Sequence, residues 1–345
     1  MTGQTKKRTG RKLVNLALQG GGAHGAFAWG ALDRLLEDDR IAIEGIVGTS
    51  AGAMNAAVTA YGLTVGGNEG ARKALGRFWK AISDSGAYSV MQPSWLDRLR
   101  GSGNLDYSPG WVVMDLLSRM FSPYDTNPGN YHPLRAILTE QIDFERLRQS
   151  GQVKLFICAS NVLTNRLRVF ERSDICAEAV LASACLPSLF QAIEIDGEHY
   201  WDGGYMGNPP IFPLIYNCAS ADVIIVMINP IRIDEVPKSA QAILDRINTL
   251  SFNSSLMREM RAIAFMSRLV DRGFDDGGRL KKMLIHCIDA EEQMRTLGVS
   301  SKVNVEPAFL TRLFELGRQQ CDAFLREHFD KIGKQSSVDV EQRFL

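Results

Sequence analysis

Across 345 residues the chain holds only five histidines and six cysteines, and no two cysteines stand in CxxC spacing. No cluster of His and carboxylates has ligand spacing either, so the sequence calls for no metal and no cofactor. Several cysteines, Cys158 and Cys287 among them, sit in apolar runs, which reads as buried free thiols in a reducing, cytoplasmic compartment rather than disulfides. Neither sign of charge is in excess. Lys plus Arg and Asp plus Glu both number 39, so bulk charge offers nothing to a nucleic acid. Internal repeats, low-complexity linkers and bilayer-length apolar runs are also missing. The uncharged stretch 45–68 is too rich in Gly, Ser, Thr and Asn to cross a membrane. Residues 1–12 carry Lys6, Lys7, Arg8, Arg11 and Lys12, and read as a solvated, disordered tail able to touch anionic lipid transiently. Asn15, Gln19 and three glycines interrupt the apolar run that follows, so a signal peptide is not expected.

What the chain does have is 45% hydrophobic content, enough for a large core, and a stretch that puts a serine where a strand turns into a helix. In 44–61, EGIVGTSAGAMNAAVTAY, the apolar residues Ile46 and Val47 precede Ser50, and Ala51, Met54, Ala56, Ala57 and Ala60 follow it at helical spacing. Gly48 and Gly52 flank the serine. A hydroxyl on such an elbow stands at the end of a sheet against the free N–H groups of a helix N-terminus, which favours developing negative charge. Ser50 is therefore the candidate nucleophile.

A second strand, loop and helix comes earlier. The apolar run 13–18 leads into Gly20-Gly21-Gly22-Ala23-His24-Gly25, and 26–37 reads as a helix. Consecutive glycines bring bare N–H groups close to a ligand. Gly20, Gly22 and Gly25 also satisfy GxGxxG, but the acid a dinucleotide site needs at the end of the next strand is present only as Glu44, in mid-strand. No Lys-Ser/Thr follows, so a P-loop is excluded. Both turns belong at the C-terminal edge of a parallel α/β sheet, the glycine loop as oxyanion donor and the elbow as nucleophile.

The base is sought further on. Residues 192–201 read as a hairpin about Asp196-Gly197, ending in Asp202-Gly203-Gly204. Asp202 is the candidate proton acceptor, provided its pKa is raised from roughly 3.9 or the hydroxyl is held close. A Ser-acid-His triad would need His286 or His328, and neither has a loop that would deliver it to Ser50.

Taken together these residues resemble the patatin-like lipid acyl hydrolases. The glycine-rich loop 20–22, Gly48-Thr49-Ser50-Ala51-Gly52, the Ala182-Ser183…Pro187 stretch and Asp202-Gly203-Gly204 match that family in order, over 13–287. The resemblance implies an α/β three-layer sandwich with a mostly parallel central sheet and helices on both faces. It also implies a Ser50–Asp202 dyad with Gly20, Gly21, Gly22 and Ala51 at the oxyanion, and an acyl-lipid substrate. Acyl transfer to an alcohol would use the same parts. One position departs from the pattern: Arg or Lys usually follows the glycines, and here His24 does. That motivates a second reading, a weakly active lipid-binding protein, while His24 as a helix-start hydrogen bonder is the plainer alternative.

The remaining chain supplies 83–123 as a flap-like insertion rich in Gly, Pro and aromatics, within a catalytic domain 13–290. Residues 239–270 read as a long helix with a basic side and an apolar stripe expected to pack on the sheet, and 291–345 as a C-terminal helical segment packed on the same domain. Oligomeric state is left open.

Overall fold

The computed structural model of the chain describes residues 10–345 other than 87, 88, 90, 278 and 279. Lys6, Lys7 and Arg8 of the basic tail, and Tyr88 and Val90 of the flap region, lie outside the described residues. Eight strands form a single sheet: β1 (Lys12–Leu18), β2 (Ile41–Thr49), β3 (Lys154–Asn161), β4 (Leu167–Glu171), β5 (Ile193–Ile195), β6 (Glu198–Asp202), β7 (Asp222–Val226) and β8 (Leu284–Ile288). Their spatial order is β5-β6-β3-β2-β1-β7-β8, with β4 paired to β3. The central strands β3, β2, β1, β7 and β8 are parallel, and β4, β5 and β6 make the antiparallel end.

Strand alternation divides the core in two. Leu16, Leu18, Ile46, Ile157, Ile224 and Val226 face one layer, where they meet α1 (Gly25–Glu37) and α2 (Ala51–Gly86). Ala17, Val47, Phe156, Cys158, Val223 and Ile225 face the other. Helices on both faces make the three-layer α/β sandwich that the motifs implied. Each fully buried Leu, Ile or Phe in these layers contributes roughly 1.5–3 kcal/mol.

α2 is broken at Gly66 and Gly67, the latter with φ +61°, so two helical stretches join there at a kink. The insertion that follows is largely helical: α3 (Trp95–Arg100), α4 (Pro109–Met120) and α5 (Pro123–Thr126). α3 carries a full capping box between Ser94 and Asp97, and Ser108 caps α4 ahead of Pro109. α6 (Pro133–Gln141), α7 (Phe144–Gln149), α8 (Ala177–Ser183) and α9 (Phe212–Asn217) are short. α10 (Ala240–Asp271) is the long basic helix, and α11 (Glu291–Met294), α12 (Pro307–His328) and α13 (Val340–Phe344) complete the chain.

α10 departs from expectation in its first half. Leu256, Met260 and Ile263 are buried against the sheet, but Ile243, Leu244, Ile247 and Leu250 are exposed. Helical spacing of apolar residues marks a face, and says nothing about whether a partner covers it. The C-terminal residues pack back on the sandwich: Arg34 and Arg318 of α1 and α12 reach Asp322 and Asp33, and Ser337 N–H donates to Ile285 O at 3.0 Å.

Candidate active site

Strand β3 acts as the ruler that brings the serine and the aspartate together. One edge of β3 is occupied by β4 as far as Ser160. Its other edge pairs with β2 up to Cys158, opposite Thr49, and from Ala159 onward with β6, where Ala159 lies opposite Asp202. β2 runs toward this point in parallel and β6 runs toward it antiparallel, so the two strands meet head-on. Thr49 and Asp202 therefore face consecutive residues of one strand, and Ser50 turns off at the junction. The junction leaves no room for a side chain after the aspartate: a Cβ on Gly203 would lie 2.1 Å from Cys158 O.

Ser50 adopts φ +56°, a left-handed conformation for a residue with a Cβ, which costs about 1–2 kcal/mol and is held by the elbow. Its N–H donates to Ser183 Oγ at 2.9 Å, and Ser183 Oγ donates to Cys158 O at 2.6 Å, so the Ala182-Ser183 stretch braces Ser50. Thr49 Oγ1 donates to Gly207 O at 2.7 Å.

Asp202 is completely buried. Its N–H donates to Cys185 O at 2.8 Å, Ser160 Oγ donates to its carbonyl at 2.8 Å, and Gly204 N–H donates to Oδ1 at 2.7 Å. Oδ2 has no hydrogen-bond partner among the described residues, yet the Ser50 hydroxyl is one of the groups acting on the carboxyl. The two side chains thus face each other without a bond of full geometry, a common state of sites before substrate tightens them. Burial pushes the carboxyl up to about 6, against the pull of Gly204 N–H, the Ser50 hydroxyl and the Lys302 ammonium. That meets the requirement on a carboxylate base, which at an ordinary pKa would be too weak.

The glycine turn lines the same cavity as Ser50 and Asp202. No hydrogen bond uses the N–H of Gly21 or Gly22 among the described residues, and the N–H of Ala51, first in α2, has no partner within its helix. Gly20 differs from the expectation for it: its N–H is already given to Asn208 Oδ1 at 2.6 Å, so it anchors the loop instead of donating to a ligand. Asn229 Nδ2 donates to Gly20 O at 2.8 Å, and Gln19 Oε1 accepts from Ile228 and Asn229 N–H at 2.9 and 3.0 Å. Sequence reasoning missed Gln19, Asn208 and Asn229 as supports, and it named Ser183 only as part of the resemblance. The local hint for Gln19 and Asn229 was that each closely follows an apolar strand, β1 or β7.

His24 follows the turn as a buried, neutral group. Its Nε2 lies 2.7 Å from Ser301 Oγ, which itself donates to Gly298 O. Ser301 therefore accepts from a protonated Nε2, and burial, with the nearby Lys302 charge, lowers the imidazole to about 3. His24 is a hydrogen bonder that fastens 299–303 to the glycine turn and supplies no positive charge.

The triad alternative is not assembled. His286 Nε2 pairs with Asp222 Oδ1 at 2.9 Å, at the start of β7 and so at the opposite end of the parallel strands from Ser50. His328 packs against Phe324 at the end of α12. No group of three or more metal-ligating side chains occurs among the described residues.

A cavity of about 190 Å³ opens on Ser50 and Asp202, lined by Gly21, Gly22 and these two residues and by Trp111, Met114 and Ser118 of α4. Phe252 and Asn248 of α10 and Lys302 also line it. Among the described residues no helix is long and apolar enough to cross a membrane.

No curated protein matches this chain. Three solved structures are similar in part. VipD from Legionella pneumophila is 15% identical with a TM-score of 0.44, over 96% of this chain and 72% of VipD. The ExoU–SpcU complex from Pseudomonas aeruginosa gives 17% and 0.38, over 97% of this chain and 58% of the other. A further ExoU structure gives 16% and 0.34, over 92% and 53%, so this chain spans little more than half the ExoU chains. The model of the family described as patatin-like phospholipase matches residues 16–215, well over half of the 345, and on that footing the chain belongs to the patatin-like phospholipase family.

Proposed function

We propose that the chain is a serine lipid acyl hydrolase that cleaves acyl esters by a Ser50–Asp202 dyad. The observation that carries this is the head-on meeting of β2 and β6 on β3, which sets a strained serine beside a buried carboxylate of raised pKa. Ser50 Oγ attacks the acyl carbonyl carbon and its proton passes to Asp202 Oδ2. The carbonyl electrons move onto oxygen, held by the N–H groups of Gly21, Gly22 and Ala51. Collapse expels the alcohol, which takes the proton back from Asp202. Water then repeats the sequence on the acyl-enzyme. The test is fatty-acid release from phospholipid vesicles and from a soluble short-chain ester. Native protein is expected to hydrolyse both and Ser50→Ala neither, and a Ser50→Ala variant as active as native would sink the reading.

We further propose that the substrate is taken from a lipid surface, with α4 as the flap. A cavity of about 190 Å³ is smaller than the roughly 300–1,000 Å³ that usually encloses a ligand, so a lipid cannot be housed without movement of a wall. α4 forms that wall and has no buried residue. Its outer side presents Val113, Leu116 (57% exposed) and Met120 (67%), and the start of α10 exposes Ile243, Leu244, Ile247 and Leu250. Leu116→Asp with Met120→Asp is expected to cut hydrolysis of vesicles by on the order of tenfold to a hundredfold, from the apolar contact forgone, and to spare the soluble ester. Equal losses on both substrates would mean that α4 serves the fold alone.

A further inference from the structure

The glycine turn of this chain lacks the Arg or Lys that its resemblance leads one to expect, and His24, in that place, is neutral. A cation nevertheless reaches the site from elsewhere. Lys302 lies in the C-terminal part of the chain, outside the matched family region, and lines the same cavity as Gly21, Gly22, Ser50 and Asp202. Its backbone is pressed against the turn: Gly22 has φ +60°, and a Cβ there would lie 2.2 Å from Lys302 O. The adjoining Ser301 is the residue that His24 holds.

The residue is partly exposed as a whole, but its ammonium is enclosed. Nζ donates to Asn248 Oδ1 at 3.0 Å and to Asn229 Oδ1 at 3.4 Å, and it stands 5.3 Å from the centre of the Phe252 ring. Asn229 is the same side chain that holds Gly20 O, so the ammonium is one residue removed from the glycine loop. No carboxylate pairs with it within 4.0 Å among the described residues. Two neutral carbonyls use two of its three N–H donors. An enclosed ammonium without a close counter-ion is costly unless negative charge is to arrive beside it.

Resting on the hydrolase reading above, we propose that Lys302 is the cation of this active site: its ammonium faces the oxyanion formed at the Gly21 and Gly22 N–H groups and stabilises that charge as it develops. The bond changes are those already given. Lys302 stays protonated throughout and exchanges no proton with the substrate. The position usually filled from the glycine turn is thereby filled from the C-terminal segment, with His24 as the fastening.

Three titratable groups act on or beside the ammonium: Asp202 at the end of β6, Asp245 on α10 and His24 in the glycine turn. Burial lowers Lys302 to about 8 while the two aspartates raise it, and Asp245 is itself raised by burial. His24 stays neutral in the working range. Activity on a soluble neutral ester should therefore fall as pH rises through about 8.

The test is kcat and KM for that ester across pH 5–10, with vesicle hydrolysis measured alongside. Native protein is assayed first against Ser50→Ala. Absence of any Ser50-dependent hydrolysis there defeats the hydrolase reading before Lys302 is touched. Given a native rate, Lys302→Met is expected to lower kcat about 100-fold or more with KM little changed, as for loss of an oxyanion partner, and to abolish the basic limb. It should also move the acidic limb upward, because Lys302 helps to keep Asp202 ionised. Asn248→Leu, which keeps the lysine and removes one acceptor, is expected to shift the basic limb to lower pH, and it remains informative if Lys302→Met fails to fold. A native kcat and an unchanged basic limb in Lys302→Met would overturn the proposal. So would a loss confined to phosphate-bearing lipids with the neutral ester spared, since that would make Lys302 a headgroup site.

Discussion

Asp202→Asn is expected to lower kcat for ester hydrolysis by about 10³-fold or more while leaving the protein folded. The amide keeps the size of the carboxyl and can accept the Gly204 N–H, and the backbone bonds of residue 202 to Cys185 and Ser160 are untouched. What it cannot do is take the Ser50 proton. The same carboxyl is expected to set the acidic limb of native activity. Because burial raises Asp202 to about 6, the base is protonated below that pH, and kcat should fall roughly tenfold per unit on the acid side. Stability runs the other way. A carboxyl whose folded pKa lies above its unfolded value adds stability at acid pH, and that contribution is lost as pH rises through about 6. The cost at pH 8 is about 3 kcal/mol for a two-unit shift, the pull of the neighbouring ammonium being already part of that shift. Asp202→Asn removes that penalty, so at pH 8 its thermal midpoint should equal or exceed the native one. A variant that keeps a tenth or more of native kcat with an unmoved acidic limb would mean that another group is the base.

The second large effect is expected from His24→Arg. Restoring the expected cation looks like a repair, but the site is built around a neutral ring. His24 is 2% exposed, donates to Ser301 and stands edge-on to Phe309 with ring centres 6.4 Å apart. A guanidinium there would be larger than the space, would break the bond that fastens 299–303, and would bury a second positive charge near Lys302. The expected outcome is a loss of about 3 kcal/mol or more in stability by denaturant unfolding and at least about 100-fold in kcat/KM. His24→Gln, which keeps a donor without charge, should cost about 1–2 kcal/mol and much less activity. A rate gain in His24→Arg would show that the histidine is a weakening, and would leave Lys302 without its role.

These two residues also mark how far the sequence could be read. The elbow at Ser50, the glycine turn and the Asp196-Gly197 hairpin were legible because each is local. Strand periodicity, glycine spacing and turn chemistry act within a dozen residues, and Asp196 and Gly197 do take positive φ, 53° and 79°. The shared edge of β3 was not legible. That Thr49 and Asp202 face consecutive residues of one strand depends on pairing across more than 150 residues of chain, which no local pattern encodes. Gly20 was read as a donor because glycine spacing says nothing of where an N–H is already used, and Asn208, which uses it, lies far along the chain. Lys302 carried no signal in VSSKVNVE, where nothing distinguishes a site lysine from a surface one. The first turns of α10 show the converse. Ile243, Ile247 and Leu250 have the spacing of a core face but lie in the open, because amphipathic periodicity is the same whether the partner is a sheet or a lipid surface.

The most direct measurement of the central claim, that Ser50 is an acyl nucleophile driven by Asp202, is labelling with a long-chain alkyl fluorophosphonate followed by peptide mass mapping. The account predicts one equivalent on Ser50, formed with the loss of hydrolysis, much slower in Asp202→Asn and absent in Ser50→Ala. A fully active protein that takes up no label on Ser50, or that loses activity through a label on another residue, would contradict it.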